Sequence, residues 1–388
     1  MSDPASSSDY SETQLALQHT VRAFARKEVA PGAAERDRTG AFDYRLYRSL
    51  GDLGLTGLLF PEEYGGSDVD TLSFCLALQE LSRVDMALGI TLWVGVVGAL
   101  SVVSGGTEEQ KTRWQETWVL PTVRGDAVSA GAITEPDAGS DTAALRTTAV
   151  LDGEEWVLNG SKIFITNAGL ENNLFVMVLC RNPEGGYELI LVPRDAPGYT
   201  MGPPLRKMGL RSSDTRELFF DDCRVPAINR LGAAGSGRRS VVGRGFFLTR
   251  LYLASQALGL AQECFDLALA HARQRKAFGR AIARFQYVQE MLVNMALEIE
   301  AGRLLRDQAC RLHDAGRPYA KEAAMTKLYC TEMAKRAADN AVQIFGGLGY
   351  MDDTPVSRYY RDIRASTIAE GTSEIQKHII AREIGCLA

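Results

Sequence analysis

The spacing of apolar residues changes twice along the chain. Up to residue 121 apolar positions recur three and four apart, as at Leu17, Val21 and Phe24, which predicts amphipathic helices. After that the apolar runs are short and bounded by turn residues, which predicts short β-strands. Long helical patterns then return and predict an antiparallel bundle. The expected fold is α+β with three domains: an N-terminal α-helical domain (1–121), a middle β-barrel-like domain (122–235) and a C-terminal four-helix bundle (236–388).

Several elements can be placed within these segments. Ser11 and Gln14 form a capping box at the start of the first helix. Asn159-Gly160 is expected to make the type I′ turn of a β-hairpin, because this dipeptide accepts positive φ angles. The Gly-rich, basic stretch 231–245 is expected to be a linker. The predicted helices are 42–53, 71–83, the stretch 86–106, 108–120, and about 246–276, 285–315, 318–346 and 366–385.

The uncharged stretch 86–106 is long enough to span a bilayer. It contains five glycines as well as Thr91, Ser101 and Ser104, and it follows a charged amphipathic segment. A buried helix or helix pair is therefore favoured over a membrane span.

Composition excludes several classes of protein. The 388 residues are 46% hydrophobic and carry a net charge of −5, which is typical of a soluble globular protein and does not attract nucleic acid or anionic lipid. The seven cysteines form no CxxC pair, which indicates reduced thiols and a cytoplasmic location. The four histidines lack metal-ligand spacing, so no metal site is expected. The N-terminal residues do not have the pattern of a signal peptide.

The usual catalytic templates are missing from the sequence. It contains no P-loop and no G-x-S-x-G elbow, and the glycines at 346–349 lack the preceding strand of a dinucleotide-binding fingerprint. The chemistry must then come from a cofactor or from a lone acid or base. Three segments are candidates: a loop of small and hydroxyl residues (132–141), a glycine-terminated helix end (343–350), and a carboxylate followed by Gly-Thr-Ser (368–376).

Together these segments resemble the acyl-CoA dehydrogenase flavoproteins. The stretch 132–144 matches the first signature of that family, and 343–362 matches the second, including Asp353, Arg358 and Asp362. The stretches 61–66 and 275–279 are further landmarks. The resemblance covers nearly the whole chain, and the family shares the α–β–α order that the apolar pattern predicts.

The resemblance implies that an acyl thioester is oxidised to its 2,3-enoyl form with FAD. Glu370 would be the base that removes the α-proton, and the β-hydrogen would leave as hydride to flavin N5. The backbone N–H of Glu370 and a ribityl hydroxyl would stabilise the enolate oxygen. An acyl chain that dries the site is expected to raise the pKa of Glu370. Some members carry the base just before the arginine that matches Arg250, but Thr249 occupies that place here and cannot serve.

The resemblance also assigns residues to the cofactor and the substrate. Those near the flavin ring are Ile133, Thr134, Ser140, Phe164 and Thr166, where Phe164 replaces the commoner tryptophan. Those that would reach the FAD of a neighbouring subunit are Arg275, Phe278 and Gln286. The adenosine half would contact Gln343 and Gly347, and the pyrophosphate side Thr372 and Glu374. The substrate residues are Ser140, Arg250 and Gly371. Glu135 is interpreted as structural.

The implied partners are a further copy of the chain, in a dimer or tetramer, and an electron-transferring flavoprotein as electron acceptor. The family's acyl pocket would lie beside the uncharged stretch, where Leu92 and Trp93 could shorten it.

Two departures from the family pattern leave the thioester carrier open. Phe246-Phe247 stand where many members have Leu-Asp, whose aspartate helps to hold the CoA arm, and Ala369 replaces a common tyrosine. The basic residues Arg238, Arg239 and Arg244 could dock an acidic carrier protein. CoA and an acyl carrier protein are both candidate carriers, and oxidation of a more distal bond stays open.

Three other functions on the same scaffold are alternatives. An oxidase is disfavoured because the oxidases of the family are usually longer. A flavin monooxygenase is disfavoured by Glu370, because such members commonly lack the base. A non-catalytic binding protein is disfavoured by the joint presence of the base, the flavin loop and the strand that would cover the flavin.

Overall fold

The computed structural model describes residues 10–241 and 245–386. Arg244, one of the three basic residues singled out above, lies outside these residues, as does the start of the N-terminal stretch. The α-helices of the first third are α1 (Glu12–Phe24), α2 (Ala33–Thr39), α3 (Tyr44–Asp52), α4 (Thr71–Ser82), α5 (Met86–Gly105), α6 (Glu108–Trp114) and α7 (Leu120–Val123). The capping box is confirmed, since the backbone N–H of Gln14 donates to Ser11 Oγ and the N–H of Ser11 donates to Gln14 Oε1.

Helix α2 is absent from the sequence prediction, because four of its seven residues are charged and no apolar stripe marks it. Its Arg36 is buried nevertheless. The guanidinium pairs with Asp85 at 2.8 Å, and Asp85 caps α5 by accepting a hydrogen bond from the N–H of Leu88. An ion pair with a distant residue thus stabilises α2, a helix that the pattern of apolar residues does not predict.

The uncharged stretch forms one continuous helix, α5. Among the described residues it is the one helix long and apolar enough to cross a bilayer, and 78% of its most apolar window is buried inside the protein. Gly98 lets it approach the sheet closely, because the Ser129 hydroxyl accepts from the N–H of Gly98 and donates to the carbonyl of Gly95.

Eight of the described strands form one mixed sheet in the order β6-β7-β3-β2-β4-β5-β8, with β1 parallel to β4. Their bounds are β1 (Val128–Ala132), β2 (Thr148–Asp152), β3 (Glu155–Thr166), β4 (Asn173–Arg181), β5 (Tyr187–Pro193), β6 (Tyr199–Met201), β7 (Thr215–Pro226) and β8 (Arg230–Leu231). The sheet has its own apolar core, which includes Trp156, Ile190 and Phe220.

The predicted turn at Asn159-Gly160 is wrong. Both residues lie inside β3, and the hairpin turn with β2 falls instead between Asp152 and Glu155. Gly160 has φ 140°, and a Cβ there would come within 2.7 Å of Thr147 Cα. The glycine therefore serves a close backbone approach and a shift in register, and not a turn.

The C-terminal part contains α8 (Gly237–Ser240), α9 (Phe246–Gln274), α10 (Gln286–Asp314), α11 (Ala320–Phe345), α12 (Pro355–Ile363) and α13 (Ser373–Glu383), with a small ribbon of β9 (Lys276–Ala277) and β10 (Arg280–Ala281). The predicted linker thus contains a short helix. The predicted helix 366–385 begins later, at Ser373, because a 3-10 turn (Arg364–Thr367) and a loop precede it.

Helices from both ends of the chain share one apolar core. Helices α4 and α9 pack so closely that a Cβ on Gly259 would lie 2.0 Å from the carbonyl oxygen of Gln79. At the edge of this contact Arg83 pairs with Glu263 at 3.2 Å and also with Asp266. Because the core is shared, the domain boundaries at 121/122 and 235/236 stay predictions.

Candidate functional site

Glu370 lies in the loop between the 3-10 turn and α13. It has φ 57° and Gly371 has φ 90°, so two consecutive residues adopt left-handed backbone conformations. A non-glycine residue in this region persists only where its surroundings hold it there. Thr372 then caps α13, since its hydroxyl accepts from the N–H of Ile375 at 3.3 Å.

Three buried side chains hold this loop through its carbonyl groups. Arg250 Nε donates to the carbonyl of Glu370 at 3.1 Å, and Lys327 Nζ donates to that of Gly371 at 2.7 Å. Gln376 Nε2 donates to both carbonyls, at 3.0 and 2.8 Å. Because these donors come from α9, α11 and α13, the loop is fixed by the bundle around it.

The Glu370 carboxylate is half-buried beside α9. Its Oε2 accepts a hydrogen bond from the Thr249 hydroxyl. Burial raises the pKa of Glu370 above its usual value, against the lowering effects of the Thr249 hydrogen bond and the charges of Arg250 and Lys327. The group is thereby a stronger base than an exposed glutamate, in the direction that the sequence analysis expects.

Arg250 is buried in the second turn of α9, and Nη1 of its guanidinium has no hydrogen-bond partner among the described residues. The guanidinium lies 6.0 Å from the ring centre of Phe246 and 5.4 Å from that of Phe247. The two aromatic residues that depart from the family pattern therefore cover this cation.

The loop that carries Ile133 and Thr134 is held by a buried ion pair. Lys162, on β3, donates to the carbonyl of Ile133 at 3.0 Å and to Glu135 Oε1 at 2.8 Å. Glu135 in turn accepts from the backbone N–H groups of residues 146 and 147, at 2.6 and 3.0 Å. These contacts agree with the structural interpretation of Glu135.

Beside this loop, β3 presents a surface suited to a flat ring. The N–H of Ile163 donates to the carbonyl of Thr134 at 2.9 Å, which places Phe164 next to the loop. The backbone of Phe164 has φ 63°, and the residue is 64% exposed, so a large apolar ring is held in water at a cost in free energy. Thr166 ends the strand. An exposed aromatic ring with neighbouring hydroxyls fits a flavin, so the residues present suit FAD.

A second group of predicted cofactor residues lies at the far end of the bundle. Arg275 follows the last turn of α9, and Gln286 begins α10. Phe278, in the turn between β9 and β10, is 95% exposed with φ 50°. Gln343 and Gly347 are also exposed there, at the end of α11.

The bundle separates these residues from Glu370. His271, near the end of α9, stacks on Phe345, at the end of α11, with ring centres 4.2 Å apart. Thr249, which contacts Glu370, lies at the opposite end of α9. From Thr249 to Gln274 the helix rises by about 38 Å. The two groups therefore do not meet within one chain.

Helices α5 and α9 meet next to the base through an aromatic cluster. Trp93 Nε1 donates to Gln256 Oε1 at 2.9 Å, and Gln256 Nε2 donates to Ser82 Oγ at 3.1 Å. The ring of Tyr252 lies 6.2 Å from that of Trp93 and 4.9 Å from that of Phe74. The Tyr252 hydroxyl is buried and has no partner among the described residues.

The sequence analysis missed three of the residues that hold the base. Thr249 was considered only as a residue unable to be the base, Gln376 only as the last residue of the candidate segment 368–376, and Lys327 was not considered. Lys327 carried a detectable signal, since it lies on a helix face whose other members are small, including Ala323, Ala324 and Cys330. A charged residue on such a stripe marks a buried polar contact.

Comparisons with known proteins agree with this geometry. Three family models match in order: acyl-CoA dehydrogenase N-terminal domain (residues 11–119), middle domain (130–223) and C-terminal domain (235–385). The chain is 41% identical to the probable acyl-CoA dehydrogenase YngJ of Bacillus subtilis, over 97% of this chain and 99% of that protein. It is 39% identical to the mouse mitochondrial short-chain specific acyl-CoA dehydrogenase, over 95% and 89%.

Solved structures give the same result. The butyryl-CoA dehydrogenase of Megasphaera elsdenii is 35% identical, with a TM-score of 0.92 over 97% of this chain and 99% of that one. The prolyl acyl carrier protein oxidase AnaB is 29% identical, with a TM-score of 0.90 over 97% and 100%. A chain from work on the electron-transferring flavoprotein of Acidaminococcus fermentans is 38% identical, with a TM-score of 0.92 over 97% and 99%.

Proposed function

The chain belongs to the acyl-CoA dehydrogenase family, and we propose that it oxidises a short acyl-CoA between C2 and C3, with Glu370 as the base. The family consists of FAD-dependent oxidoreductases, so the enzyme class and the cofactor hold for this chain. The observation that carries the proposal is the half-buried Glu370 carboxylate, which has a raised pKa and only one of its oxygens in a hydrogen bond among the described residues.

The residues around Glu370 have different roles in the proposed proton transfer. Thr249 holds Oε2, which leaves Oε1 to take the proton from the α-carbon of the thioester. The raised pKa of Glu370 brings its proton affinity closer to that of a weakly acidic C–H group. Arg250 and Gln376 fix the backbone of the base, so that little reorganisation is needed when charge develops.

We assign the cofactor to the residues that the sequence analysis names. Ile133, Thr134, Ser140, Phe164 and Thr166 would hold the flavin ring, and Thr372 and Glu374 would lie near the pyrophosphate. When bound, FAD supplies the acceptor for the hydride that leaves the β-carbon. Ser140, Arg250 and Gly371 are the proposed substrate contacts.

The aromatic cluster supports a short acyl chain. Tyr252 and Gln256 lie one and two turns beyond Thr249 on α9, which is about 4 and 10 Å along the helix axis. Trp93, fixed to Gln256, closes the space between α5 and α9 at that point. A chain that runs from Glu370 along α9 would end there, in keeping with the short-chain and butyryl-CoA dehydrogenases to which the protein is similar.

We further propose that two copies share each FAD. The axis of α9 rises by about 38 Å between Thr249, which contacts Glu370, and Gln274, next to the far group. A flavin dinucleotide bound beside Glu370 would therefore not reach the far group of its own chain. The far group is exposed, and α10 beside it exposes a stripe of Val293, Leu297 and Leu304. An exposed apolar stripe on a long helix is typical of an interface.

The similarity to a chain studied with an electron-transferring flavoprotein supports such a flavoprotein as the electron acceptor.

An acyl carrier protein is the second candidate for the thioester carrier. Arg238 and Arg239 are exposed on α8, where Arg238 donates to Thr142 Oγ1 at 3.2 Å and lies 5.8 Å from the Tyr187 ring. The similarity to AnaB supports this alternative. The double variant R238E/R239E would then lose activity on a carrier-bound butyryl group and keep it on butyryl-CoA.

The test is an anaerobic titration of the FAD-loaded protein with butyryl-CoA, followed by flavin absorbance. The wild-type protein should bleach, and Glu370→Gln should slow bleaching by about a thousandfold. Glu383→Gln, an exposed acid on α13, is the matched control and should bleach normally. Bleaching of Glu370→Gln at the wild-type rate would overturn the proposed base. Bleaching only by butyryl-carrier protein would move the substrate to the second candidate.

A further inference from the structure

Lys327 is a buried cation beneath the base. Its side chain is fully buried in α11, and among the described residues the carbonyl of Gly371 is the one hydrogen-bond acceptor of its ammonium group. Burial lowers the pKa of Lys327 to about 8. A buried ammonium group costs free energy unless its surroundings compensate, so its presence calls for a reason.

The charged groups around Glu370 come from several elements. Helix α9 contributes Thr249, as a neutral donor, and the permanently charged Arg250. Helix α11 contributes Lys327, whose other charged neighbours are Glu332 and Glu374. Of the two cations that act on Glu370, Lys327 is the one that can lose its proton near neutral pH.

We propose that Lys327 is a positioning residue for the reaction: its ammonium group fixes the Gly371 carbonyl and, by its charge, keeps Glu370 ionised and ready to accept the substrate proton. The inference rests on the proposed role of Glu370. It assigns two separable tasks to one side chain. Holding the carbonyl requires only a hydrogen-bond donor, whereas keeping the carboxylate ionised requires a positive charge.

Two substitutions separate these tasks. Lys327→Gln keeps a donor and removes the charge, and Lys327→Met removes both. Because a nearby positive charge lowers the pKa of a carboxyl group, its loss raises the pKa of Glu370, and the base stays protonated up to a higher pH. The structural account alone, in which Lys327 only supports the fold, predicts no such movement.

The experiment measures butyryl-CoA-dependent flavin reduction by the holoenzymes between about pH 5 and 9, together with thermal unfolding. In Lys327→Gln the acid limb should move up by about one pH unit, with a melting temperature close to that of the wild type. Lys327→Met should show the same shift and a limiting rate lower by about tenfold, because its loop is no longer fixed. Lys321→Gln, a partly exposed lysine on the same helix, should change neither.

A wild-type acid limb in Lys327→Gln would overturn the inference, provided that Glu370→Gln is inactive. An active Glu370→Gln would instead overturn the proposed base, which is a distinguishable result. If Lys327→Gln binds no flavin, infrared difference spectra against Glu370→Gln report the pKa of the Glu370 carboxyl directly in the protein without cofactor. An unchanged pKa there would also overturn the inference.

Discussion

The two ends of the C-terminal bundle differ in how complete they are. At the end that holds Glu370, Arg250, Lys327 and Gln376 are buried and hydrogen-bonded to the two carbonyls of the base loop. At the other end the candidate cofactor residues Arg275 and Phe278 are exposed, and the Arg275 guanidinium forms no hydrogen bond within the described residues. If two copies share each FAD, the closed end, which carries Glu370, is built by one chain, and the open end, which carries Arg275 and Phe278, would be completed by a partner chain.

The largest effect is expected at the open end. Leu297→Arg places a charge in the exposed apolar stripe of α10, where a partner chain would have to bury it. We expect the oligomer to weaken by about a thousandfold in dissociation constant and the purified protein to lose flavin. Light scattering and the ratio of flavin to protein absorbance measure both. Gln308→Arg, an exposed polar position on the same helix, is the control, and a flavin-loaded monomer of Leu297→Arg would contradict the sharing of FAD.

Substitutions at the closed end should change the preferred length of the acyl chain and leave the oligomeric state unchanged. Trp93→Ala opens the space between α5 and α9 and frees Gln256. We expect kcat/KM for octanoyl-CoA to rise by at least about tenfold relative to butyryl-CoA, since even one additional methylene placed in an apolar pocket contributes about 1–3 kcal/mol. Trp93→Phe, which keeps a ring, should change the ratio less. An unchanged ratio in Trp93→Ala would show that the acyl chain does not reach Trp93.

A smaller change is expected from the hydroxyl that touches the base. Thr249→Val removes the hydrogen bond to Glu370 Oε2, a bond that lowers the pKa of Glu370. The acid limb of kcat/KM should therefore move up by about one pH unit. Thr249→Ser retains the hydroxyl and should keep the wild-type profile. A downward shift in Thr249→Val would contradict the assigned contact.

The smallest functional effect is expected at α12, between the two ends. Asp362 is buried and accepts a hydrogen bond from the N–H of Leu210 at 2.6 Å, and burial raises its pKa to about 7. The native state thus keeps a proton that the unfolded chain releases near pH 4, so the free energy of unfolding falls as the pH rises from about 4 to 7.

Asp362→Asn keeps an acceptor for Leu210 and removes this titration. Relative to the wild type, the variant should gain stability between pH 5 and 8 by on the order of 1–4 kcal/mol, with oligomer and turnover unchanged. Melting curves at several pH values measure this. Parallel pH dependences of the two proteins would contradict it.

The sequence predicted local features well and contacts between distant segments poorly. The Ser11–Gln14 capping box was predicted correctly because all its atoms come from four consecutive residues. The Asn159-Gly160 turn was wrong, because glycine also permits a close approach to Thr147, which no local pattern reveals. The fold class followed from the change in apolar spacing and from the family signatures, and the three family models confirm it.

The candidate site shows the same limit. The motif around Glu370 pointed to a base, a role that stays a prediction. The contact with Thr249, 121 residues away in sequence, could not be read from spacing. The hydrogen bond from Lys327 to the Gly371 carbonyl could not be predicted either, because it depends on how α11 packs beneath the loop.

The most direct test of the contrast between the two ends is subunit complementation. Glu370→Gln has an intact open end, and the double variant R275A/F278A has an intact base. The two chains are co-expressed with different affinity tags, mixed oligomers are isolated, and butyryl-CoA-dependent flavin reduction is measured. If each site joins the base of one chain to the open end of its partner, about half of the sites in a mixed pair are intact, and activity returns to that level. Mixed oligomers as inactive as their parents would contradict the account.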